Sequence, residues 1–343
     1  MKNLIEKAAL THALSFEEIV SLLKDDSENE YLFKKADEVR KKFVGDEVHL
    51  RGLIEISNIC GRDCLYCGLR KDNSKLERYA MSEDEIFETA KNAVKMGYKT
   101  LVLQSGESCV YPIEKLVSVI KKIKTLNVAV TLSLGEKNEA EYRALKEAGA
   151  DRYLLRIETT SFRLYSQLHP DMSLTQRRTC LWFLKEIGFE VGTGNLVGLP
   201  NQTDESLAED ILYFKEIDAD MVGLGPFIPN PETPLKDEKG GTFEKALKVM
   251  AIVRLLLPDA NIPATTAMET LNPNGRLIAL QSGANVVMPN VNATEYRTKY
   301  QLYPGKICLD EGAEKCRNCI EEKIKSIGRT ISLSKGFRIR SRR

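Results

Sequence analysis

The stretch Cys60-Gly61-Arg62-Asp63-Cys64-Leu65-Tyr66-Cys67 carries three thiols at C-x3-C-x2-C spacing, directly after the apolar run 50–56. A loop of this length can wrap three sulfur atoms around one small inorganic centre. Thiolates are soft ligands that select iron–sulfur clusters, zinc or Cu(I). Three cysteines leave one iron of a four-iron cluster without a protein ligand. The spacing therefore predicts an open [4Fe–4S] cluster whose free iron binds a small molecule.

The alternative is a zinc knuckle that takes its fourth ligand from elsewhere in the chain. A structural zinc site is normally closed by four ligands, and the loop 60–67 contains no histidine. The nearest histidine is His49. The missing fourth ligand favours the iron–sulfur interpretation.

The bulk composition excludes several classes of function. The chain has 343 residues, of which 43% are hydrophobic and 29% charged, and its net charge is +1. This balance gives no electrostatic case for a nucleic-acid partner or an anionic membrane. No apolar run is long enough to cross a membrane, and the first residues lack the apolar core of a signal peptide. We expect a cytoplasmic protein whose eight cysteines serve metal or redox chemistry rather than disulfides.

The order of the predicted elements indicates an α/β protein. Residues 1–47 read as a helical extension, 48–300 as an alternation of strands and helices, and 301–343 as a C-terminal segment with further cysteines and a basic tail. The predicted strands are apolar runs rich in Val, Ile and Leu, as expected of parallel strands buried on both faces: Val48–Ser57, Thr100–Ser105, Val128–Leu134, Tyr153–Glu158, Glu190–Leu199, Met221–Ile228, Ile262–Ala267 and Ala284–Pro289. Eight such units predict a closed (βα)8 barrel of the TIM type. An open, doubly wound sheet is the alternative.

Polar residues gather where these strands end, which is where the reactive residues of such barrels lie. The first predicted strand leads into the cysteine loop, and the second ends in Gln104-Ser105-Gly106-Glu107. Arg156 and Glu158 are two residues apart, so they share one face of the fourth strand. Charged side chains inside a barrel are costly unless they are paired or bind a ligand. We favour ligand contacts for this pair, with a buried structural ion pair as the alternative.

The loop resembles the signature of the radical S-adenosylmethionine enzymes, C-x3-C-x-aromatic-C, which Cys60, Cys64, Tyr66 and Cys67 fit. The resemblance implies that the open iron of a [4Fe–4S] cluster chelates S-adenosylmethionine. An electron from the cluster then cleaves the sulfonium and yields a 5′-deoxyadenosyl radical. The family uses a (βα)8 barrel for this chemistry, with the cluster at its top.

The same resemblance implies a set of cosubstrate contacts. Glu107 corresponds to the residue that meets the amino group, with Gly106 allowing close backbone approach. Glu158 corresponds to the carboxylate that meets the ribose. Arg177 or Arg156 could clamp the methionine carboxylate, because a guanidinium matches a carboxylate bidentately. Tyr66 and the backbone near Leu199 are expected to pack on the adenine, and Gln104 and Ser133 complete the expected set of cosubstrate contacts.

Further segments resemble one family within this superfamily, the FeFe-hydrogenase maturases called HydE. They include 65–70, 102–107, 131–136, 151–156, 197–200, 225–229, 262–268 and 300–308. Biotin synthase and methylornithine synthase are more distant relatives. The resemblance implies a small iron–cysteine complex bearing CO and cyanide as the substrate, a reducing protein such as ferredoxin or flavodoxin, and other hydrogenase maturases as partners. The implied cavity residues are Thr131, Arg156, Met221, Thr265, Thr266, Met288 and Tyr303.

Two positions depart from the HydE pattern. Ile157 and Asn230 stand where the family usually has histidine. If those histidines handle protons or substrate, the chain is a HydE-like paralogue that acts on a different small molecule, as methylornithine synthase and biotin synthase do. A metallocluster scaffold or carrier without catalysis is a further alternative.

The C-terminal segment adds a second group of thiols, Cys308, Cys316 and Cys319, at C-x7-C-x2-C spacing. Some HydE proteins carry an accessory cluster at the matching site, so we expect a second iron–sulfur cluster there, with unligated thiols or zinc as the alternatives. The basic tail Lys335–Arg343 is expected to be a frayed, solvated terminus. Contact with nucleic acid or a partner is the alternative for the tail.

Overall fold

Parallel strands dominate the computed structural model of the chain, which describes residues 1–340. The strands are β1 Glu47–Ser57, β2 Thr100–Ser105, β3 Ala129–Ser133, β4 Arg152–Leu154, β5 Glu190–Thr193, β6 Leu196–Val197, β7 Met221–Val222, β8 Gly225–Pro226, β9 Val286–Val287 and β10 Thr330–Ile331. The helices are α1 Lys2–Thr11, α2 Phe16–Lys24, α3 Asn29–Val44, α4 Glu83–Lys95, α5 Ile113–Lys124, α6 Glu139–Glu147, α7 Phe162–Leu168, α8 Leu174–Glu186, α9 Asp204–Glu216, α10 Phe243–Leu256, α11 Thr266–Leu271, α12 Gly275–Leu280, α13 Thr294–Arg297 and α14 Ala313–Ser326.

The strands form a ring. Strands β1, β2, β3, β4, β5 and β7 pair in this order, all in parallel. A parallel bridge joins Met221 to Asn261, another joins Pro263 to Val286, and β9 pairs with β1. The prediction of a closed parallel barrel is confirmed, and the alternative of an open sheet is wrong.

Several predicted strands are shorter or broken in the structure. The predicted strand Ile262–Ala267 is reduced to the bridges at Asn261 and Pro263, because α11 already begins at Thr266. The runs Glu190–Leu199 and Met221–Ile228 each split into two short strands, and β6 and β8 pair separately. A Cβ on Gly194 would lie 1.9 Å from the carbonyl oxygen of Gly223. The segments around Gly194 and Gly223 approach each other this closely only because Gly194 lacks a side chain.

The fourth strand also ends earlier than predicted. β4 stops at Leu154, and the chain beyond it rejoins the neighbouring segment through a bridge between Glu158 and Asn195. Glu158 has φ of 63°, a left-handed conformation that is uncommon for a residue with a side chain. The end of this strand is therefore a turn that aims the Glu158 carboxylate inward.

The N-terminal helices pack on the outside of the barrel. α3 lies against α10, and α2 lies against α9. The predicted capping box of α2 is present, because Ser15 accepts from the Glu18 backbone and Glu18 accepts from the Ser15 backbone. Apolar residues on one face of each helix are buried against the barrel layer, among them Ile5, Ile19 and Leu32.

The C-terminal tail closes the base of the barrel. β10 extends the start of β1, pairing with Glu47 and Val48. The carbonyl of Lys335 then accepts hydrogen bonds from Thr100 and Arg152, each at 2.8 Å. Arg338 follows, with its guanidinium 2.6 Å from the Asp259 carboxylate and 3.3 Å from that of Asp220.

These contacts correct the expectation of a solvated tail for the described residues. Only 2% of the Arg338 side chain is exposed. Its acidic partners stand at the N-terminal ends of barrel segments, so the ion pairs draw the tail against the base. Arg342 and Arg343, the last residues of the predicted tail, lie outside the described residues. Within residues 1–340, no helix has the length and apolarity that crossing a membrane requires.

Removing the Arg338 guanidinium should destabilise the barrel strongly. Arg338→Ala leaves the carboxylates of Asp220 and Asp259 buried without this partner, which typically costs about 3–5 kcal/mol. Arg340 contacts Asp220 from a side chain that is 53% exposed, so Arg340→Ala serves as the control. Urea unfolding of the two variants should separate them, and equal losses of unfolding free energy would contradict a structural role for Arg338.

Candidate active site

A cavity of about 340 Å³ opens at the C-terminal ends of the barrel strands. Most of the residues predicted from the sequence lie on its wall. They are Cys60, Cys64, Tyr66, Cys67, Gln104, Gly106, Glu107, Ser133, Arg156, Glu158, Arg177, Thr265, Thr266 and Tyr303. The barrel therefore brings together side chains from several of its strand ends, from α8 and from the segment after α13.

Four predicted residues do not line this cavity. Leu199 packs behind Tyr66 in a small apolar cluster. Thr131 and Met221 are buried nearer the base of the barrel, where Met221 Sδ lies 2.7 Å from Arg51 Nη1. Met288 is half-buried and is not on the wall. Direct contact with a ligand in this cavity is therefore not supported for these four side chains.

The cysteine loop is held by backbone hydrogen bonds from three other parts of the chain. Gly61 N–H donates to the Glu107 carbonyl at 2.7 Å, Leu65 N–H to Leu168 at 3.0 Å, and Gly68 N–H to Leu302 at 3.0 Å. A Cβ on Gly106 would lie 2.4 Å from the Ile59 carbonyl oxygen. Glycine at that position is what allows the segment after β2 to lie against the loop.

The electrostatics of the three thiols suit a cationic inorganic centre. Burial raises the pKa of Cys60 and of Cys64, and it raises the pKa of Cys67 to about 12. The negative charge of neighbouring cysteine thiolates raises the pKa of Cys64 and of Cys67 further. Three buried thiolates are therefore unfavourable without positive charge between them, and an iron–sulfur cluster supplies it.

The same geometry does not favour the zinc alternative. Among residues 1–340, no three His, Cys, Asp or Glu side chains converge closely enough to hold a single metal ion. A four-iron cluster is larger than one ion, so its cysteines stand further apart around it. The loop supplies three thiolates, and such a cluster does not require a fourth protein ligand.

A network of charged residues lies beside the loop. Glu107 accepts a hydrogen bond from the Glu136 backbone at 2.9 Å and one from Arg62. Arg177 donates from Nε to Glu136 at 2.7 Å and from Nη1 to the Arg156 carbonyl at 2.8 Å. Each Glu107 oxygen keeps a free lone pair, so the carboxylate can also accept from an ammonium group. Sequence reasoning gave no role to Arg62 or to Glu136, although Arg62 lies within the cysteine loop and Glu136 ends the segment 131–136.

Arg156 and Glu158 form the ion pair that the sequence left as an alternative. Nη2 and Oε2 are 3.0 Å apart, but they are too poorly aligned for a hydrogen bond. Burial raises the pKa of Glu158, and the charge of Arg156 opposes that increase. Arg156 Nε and the hydroxyl groups of Thr131 and Thr265 are also buried without a hydrogen-bond partner. Buried polar groups are normally paired, so Arg156 and Thr265, which line the cavity, indicate the place of a polar ligand.

A second buried ion pair lies on the cavity wall and was not predicted. Glu55 accepts from Lys306 Nζ at 2.5 Å and from Asn290 at 2.6 Å. Glu55 is 1% exposed, and it stands within the apolar first strand. Glu55 lies two residues after Leu53, which also faces the cavity. This spacing on one strand was the one signal in the sequence that Glu55 faces the cavity. Lys306 ties the segment after α13 across the mouth of the barrel.

Tyr66 belongs to a small apolar cluster separate from the main core. Its ring packs with Leu164, Leu168, Leu199 and Phe227. Burial raises the pKa of the Tyr66 phenol well above its usual range. His169 lies beside it, and burial lowers the pKa of that imidazole to about 4. Both side chains are therefore neutral at physiological pH.

Asp210 supports the turn at Glu158 from behind. Its carboxylate accepts from the Thr160 backbone at 2.6 Å, from the Thr160 hydroxyl at 2.8 Å and from the Asn195 amide at 2.8 Å. Burial raises the pKa of Asp210 to about 7. The contacts join residues on both sides of Glu158 to α9, and no sequence pattern pointed to them.

The second group of cysteines does not line the cavity. The interaction between the thiols of Cys308 and Cys316 lowers the pKa of Cys308 and raises that of Cys316. Cys316 is buried, whereas Cys319 is exposed. Two of the three thiols are therefore already adjacent.

Two family models match the chain. The radical SAM superfamily matches residues 54–214, and the biotin and thiamin synthesis associated domain matches residues 225–306. The [FeFe] hydrogenase maturase subunit HydE of Thermotoga maritima is 55% identical over 90% of this chain and 88% of its own length. The 3-methylornithine synthase of Methanosarcina acetivorans is 32% identical over 82% of this chain and 81% of its own length.

The fold has a solved counterpart. The crystal structure of methylornithine synthase (PylB) superposes with a TM-score of 0.84 at 25% identity, covering 96% of this chain and 97% of that one. The sequence relatives and this structure agree with the barrel and with the resemblance derived from the sequence motifs.

The raised pKa of Asp210 predicts a pH-dependent stability. The folded chain holds a proton on Asp210 up to about pH 7, whereas the unfolded chain releases it near pH 4. The unfolding free energy should therefore decrease as the pH increases from about 4 to about 7, by several kcal/mol for this group alone. Asp210→Asn should flatten that dependence in anaerobic urea unfolding at pH 5 and pH 8. Glu209→Gln, at an exposed neighbour on α9, is the control, and an unchanged slope in Asp210→Asn would contradict the assignment.

Proposed function

We propose that this chain, which belongs to the radical SAM superfamily, serves in the maturation of FeFe hydrogenase by radical chemistry on a small substrate in the barrel cavity. The family membership rests on the matched family models and on 55% identity to the HydE subunit of Thermotoga maritima. Membership makes the chain an enzyme of the type that uses a [4Fe–4S] cluster and S-adenosylmethionine.

The observation that carries the proposal is the cysteine loop at the mouth of the cavity. Cys60, Cys64 and Cys67 would hold the cluster, and all three line the same space as the charged residues Glu107 and Arg177. When bound, the cluster supplies the electron that converts S-adenosylmethionine into methionine and a 5′-deoxyadenosyl radical. A carrier without catalysis would have no use for a set of residues that suits a nucleoside and an amino acid at once.

The wall residues suit the parts of S-adenosylmethionine. Glu107 would accept from its amino group, Glu158 from its ribose hydroxyls, and Arg177 would bind its carboxylate. Binding then requires an exchange of partners, because Arg177 is bonded to Glu136 and Glu158 is paired with Arg156. The remaining cosubstrate contacts that we propose are Tyr66, Gln104, Gly106 and Ser133, with Leu199 supporting Tyr66.

The unpaired polar groups deeper in the barrel suit an anionic substrate. Arg156 Nε and the hydroxyls of Thr131 and Thr265 are buried donors without partners. An anion in the cavity would satisfy Arg156 and Thr265, which line it, whereas Thr131, which is not on the wall, would act only indirectly. Thr266 and Tyr303 share the cavity wall. Met221 and Met288 would act only indirectly, through the residues between them and the cavity.

The two departures from the HydE pattern lie off the cavity wall. Ile157 is fully buried in the core. Asn230 donates to the Leu302 carbonyl at 3.2 Å and so fastens the segment that covers the cavity. Neither side chain lines the cavity. Their positions support the maturase role over the alternative of a paralogue with a different small substrate, which the 32% identity to 3-methylornithine synthase keeps as the second candidate.

We further propose an accessory iron–sulfur cluster at Cys308, Cys316 and Cys319, a reducing partner such as ferredoxin or flavodoxin, and contact with other hydrogenase maturases. The adjacency of the Cys308 and Cys316 thiols supports the accessory site. A cytoplasmic location is proposed because all eight cysteines are free thiols, which persist in a reducing compartment.

Anaerobic reconstitution tests the radical enzyme. The protein loaded with iron and sulfide, reduced with dithionite and given S-adenosylmethionine should form 5′-deoxyadenosine, and the cosubstrate should perturb the electron paramagnetic resonance of the cluster. Cys64→Ala should abolish both signals, because one cluster ligand is lost. Cys109→Ala, at an exposed cysteine, should retain them. A cluster-replete wild type that gives neither product nor perturbation would favour the carrier.

The accessory cluster has its own test. Cys316→Ala should lower the iron content per chain and remove one component of the resonance spectrum, while 5′-deoxyadenosine formation continues. Cys64→Ala should remove the other component. Iron analysis and resonance spectra of the two single variants and of the double variant are sufficient to assign both clusters. An equal iron content in wild type and Cys316→Ala would mean that the C-terminal thiols hold no cluster.

A further inference from the structure

His169 lies behind the aromatic residue of the cysteine loop and has no part in the chemistry described above. Its Nε2 is 2.8 Å from the Tyr66 hydroxyl. Its Nδ1 is 3.0 Å from the Tyr165 carbonyl oxygen. A carbonyl oxygen can only accept, so Nδ1 carries the proton and Nε2 is the acceptor. The Tyr66 hydroxyl therefore donates to His169.

The imidazole is itself fixed in place. It stacks on the Tyr165 ring with the centroids 4.2 Å apart and the planes at 23°. It meets the Tyr66 ring edge-on, at 5.4 Å and 80°. His169 is 3% exposed. The histidine thus has one tautomer and one orientation, both set by residues of α7.

Tyr66 has little else to set its orientation. Its other neighbours in the small cluster are apolar, among them Leu199 and Phe227, and apolar packing is not directional. The hydrogen bond to His169 is the contact that fixes the direction of the C–O bond and so the tilt of the ring. The backbone bond from Leu65 to Leu168 joins the loop to the end of the same helix.

We propose that His169 is a positioning residue for S-adenosylmethionine: by accepting from the Tyr66 hydroxyl, it holds the Tyr66 ring at the angle that the adenosyl group requires. The inference rests on the proposed function, since it takes Tyr66 as part of the adenosyl site. His169 itself touches neither the cosubstrate nor the cluster. Its loss should weaken binding of the nucleoside and leave the rate at saturation nearly unchanged, because a tilted ring lowers affinity without removing a reacting group.

The test compares variants at both ends of the hydrogen bond. His169→Leu removes the acceptor, Tyr66→Phe removes the donor, and His169→Gln keeps an acceptor oxygen near the position of Nε2. Calorimetric titration of the reconstituted protein with 5′-deoxyadenosine plus methionine gives affinity without turnover. The KM for S-adenosylmethionine and kcat are measured in parallel. Gln167→Ala, at an exposed position of α7, is the matched control.

We expect His169→Leu and Tyr66→Phe each to weaken nucleoside binding about five- to tenfold, as the loss of one buried hydrogen bond implies. The KM should increase by a similar factor with kcat within about twofold of wild type. His169→Gln should recover most of the affinity. The double variant should bind no more weakly than Tyr66→Phe alone, since both changes break the same contact.

Two outcomes would overturn the proposal. One is wild-type affinity in His169→Leu or in Tyr66→Phe, and the other is an additive loss in the double variant. Thermal unfolding is recorded for each variant, and if His169→Leu does not fold, His169→Gln and Tyr66→Phe decide the matter by the same comparison. If the wild type binds no S-adenosylmethionine, the proposed function is contradicted as well. If the wild type and the variants all bind it with the same affinity, only the role of His169 is contradicted.

Discussion

Three thiols whose charged forms repel one another must be held together at one end of the barrel, and the surrounding structure follows from that requirement. The loop 60–67 contains too few residues to fix itself, so its backbone is bonded to the segment after β2, to the end of α7 and to the segment after α13. Gly106 makes the first of these approaches possible. The thiols stay protonated or bind a cationic centre because burial and proximity both raise their pKa. Much of the chain between residues 60 and 306 thus serves to place three sulfur atoms.

The charged residues around the cavity form pairs of opposite charge. Arg177 faces Glu136, Arg156 faces Glu158, and Lys306 faces Glu55. Isolated charges in the cavity would be costly, so each of these carboxylates is paired with a cationic side chain. A ligand can replace that cationic side chain. The ammonium and carboxylate of S-adenosylmethionine bring one charge of each sign, so their exchange into these pairs leaves that balance unchanged, and the sulfonium adds one positive charge. Specificity then comes from the ability of the ligand to satisfy both members of a pair at once, in addition to its shape.

Local signals in the sequence were sufficient for the barrel and for the cysteine loop. Motif spacing, apolar runs and capping residues act over a few positions, and they located β1, β2 and the start of α2 correctly. The split at Gly194 was missed, because it depends on the approach of Gly223 from another strand. Glu55 and Lys306 are 251 residues apart, and Asp210 on α9 reaches Thr160 in the segment before α7. Such pairs exist only after the chain has folded, so no pattern in the sequence marks them.

The tail that seals the base of the barrel also fixes an order of events in synthesis. The ribosome makes the cysteine loop well before residues 335–338, because synthesis runs from the N-terminus towards the C-terminus. Until Arg338 has left the exit tunnel, the base stays open and Asp220 and Asp259 lack their Arg338 partner. Closure of the base therefore follows the emergence of this segment from the ribosome, after all the barrel strands have been made.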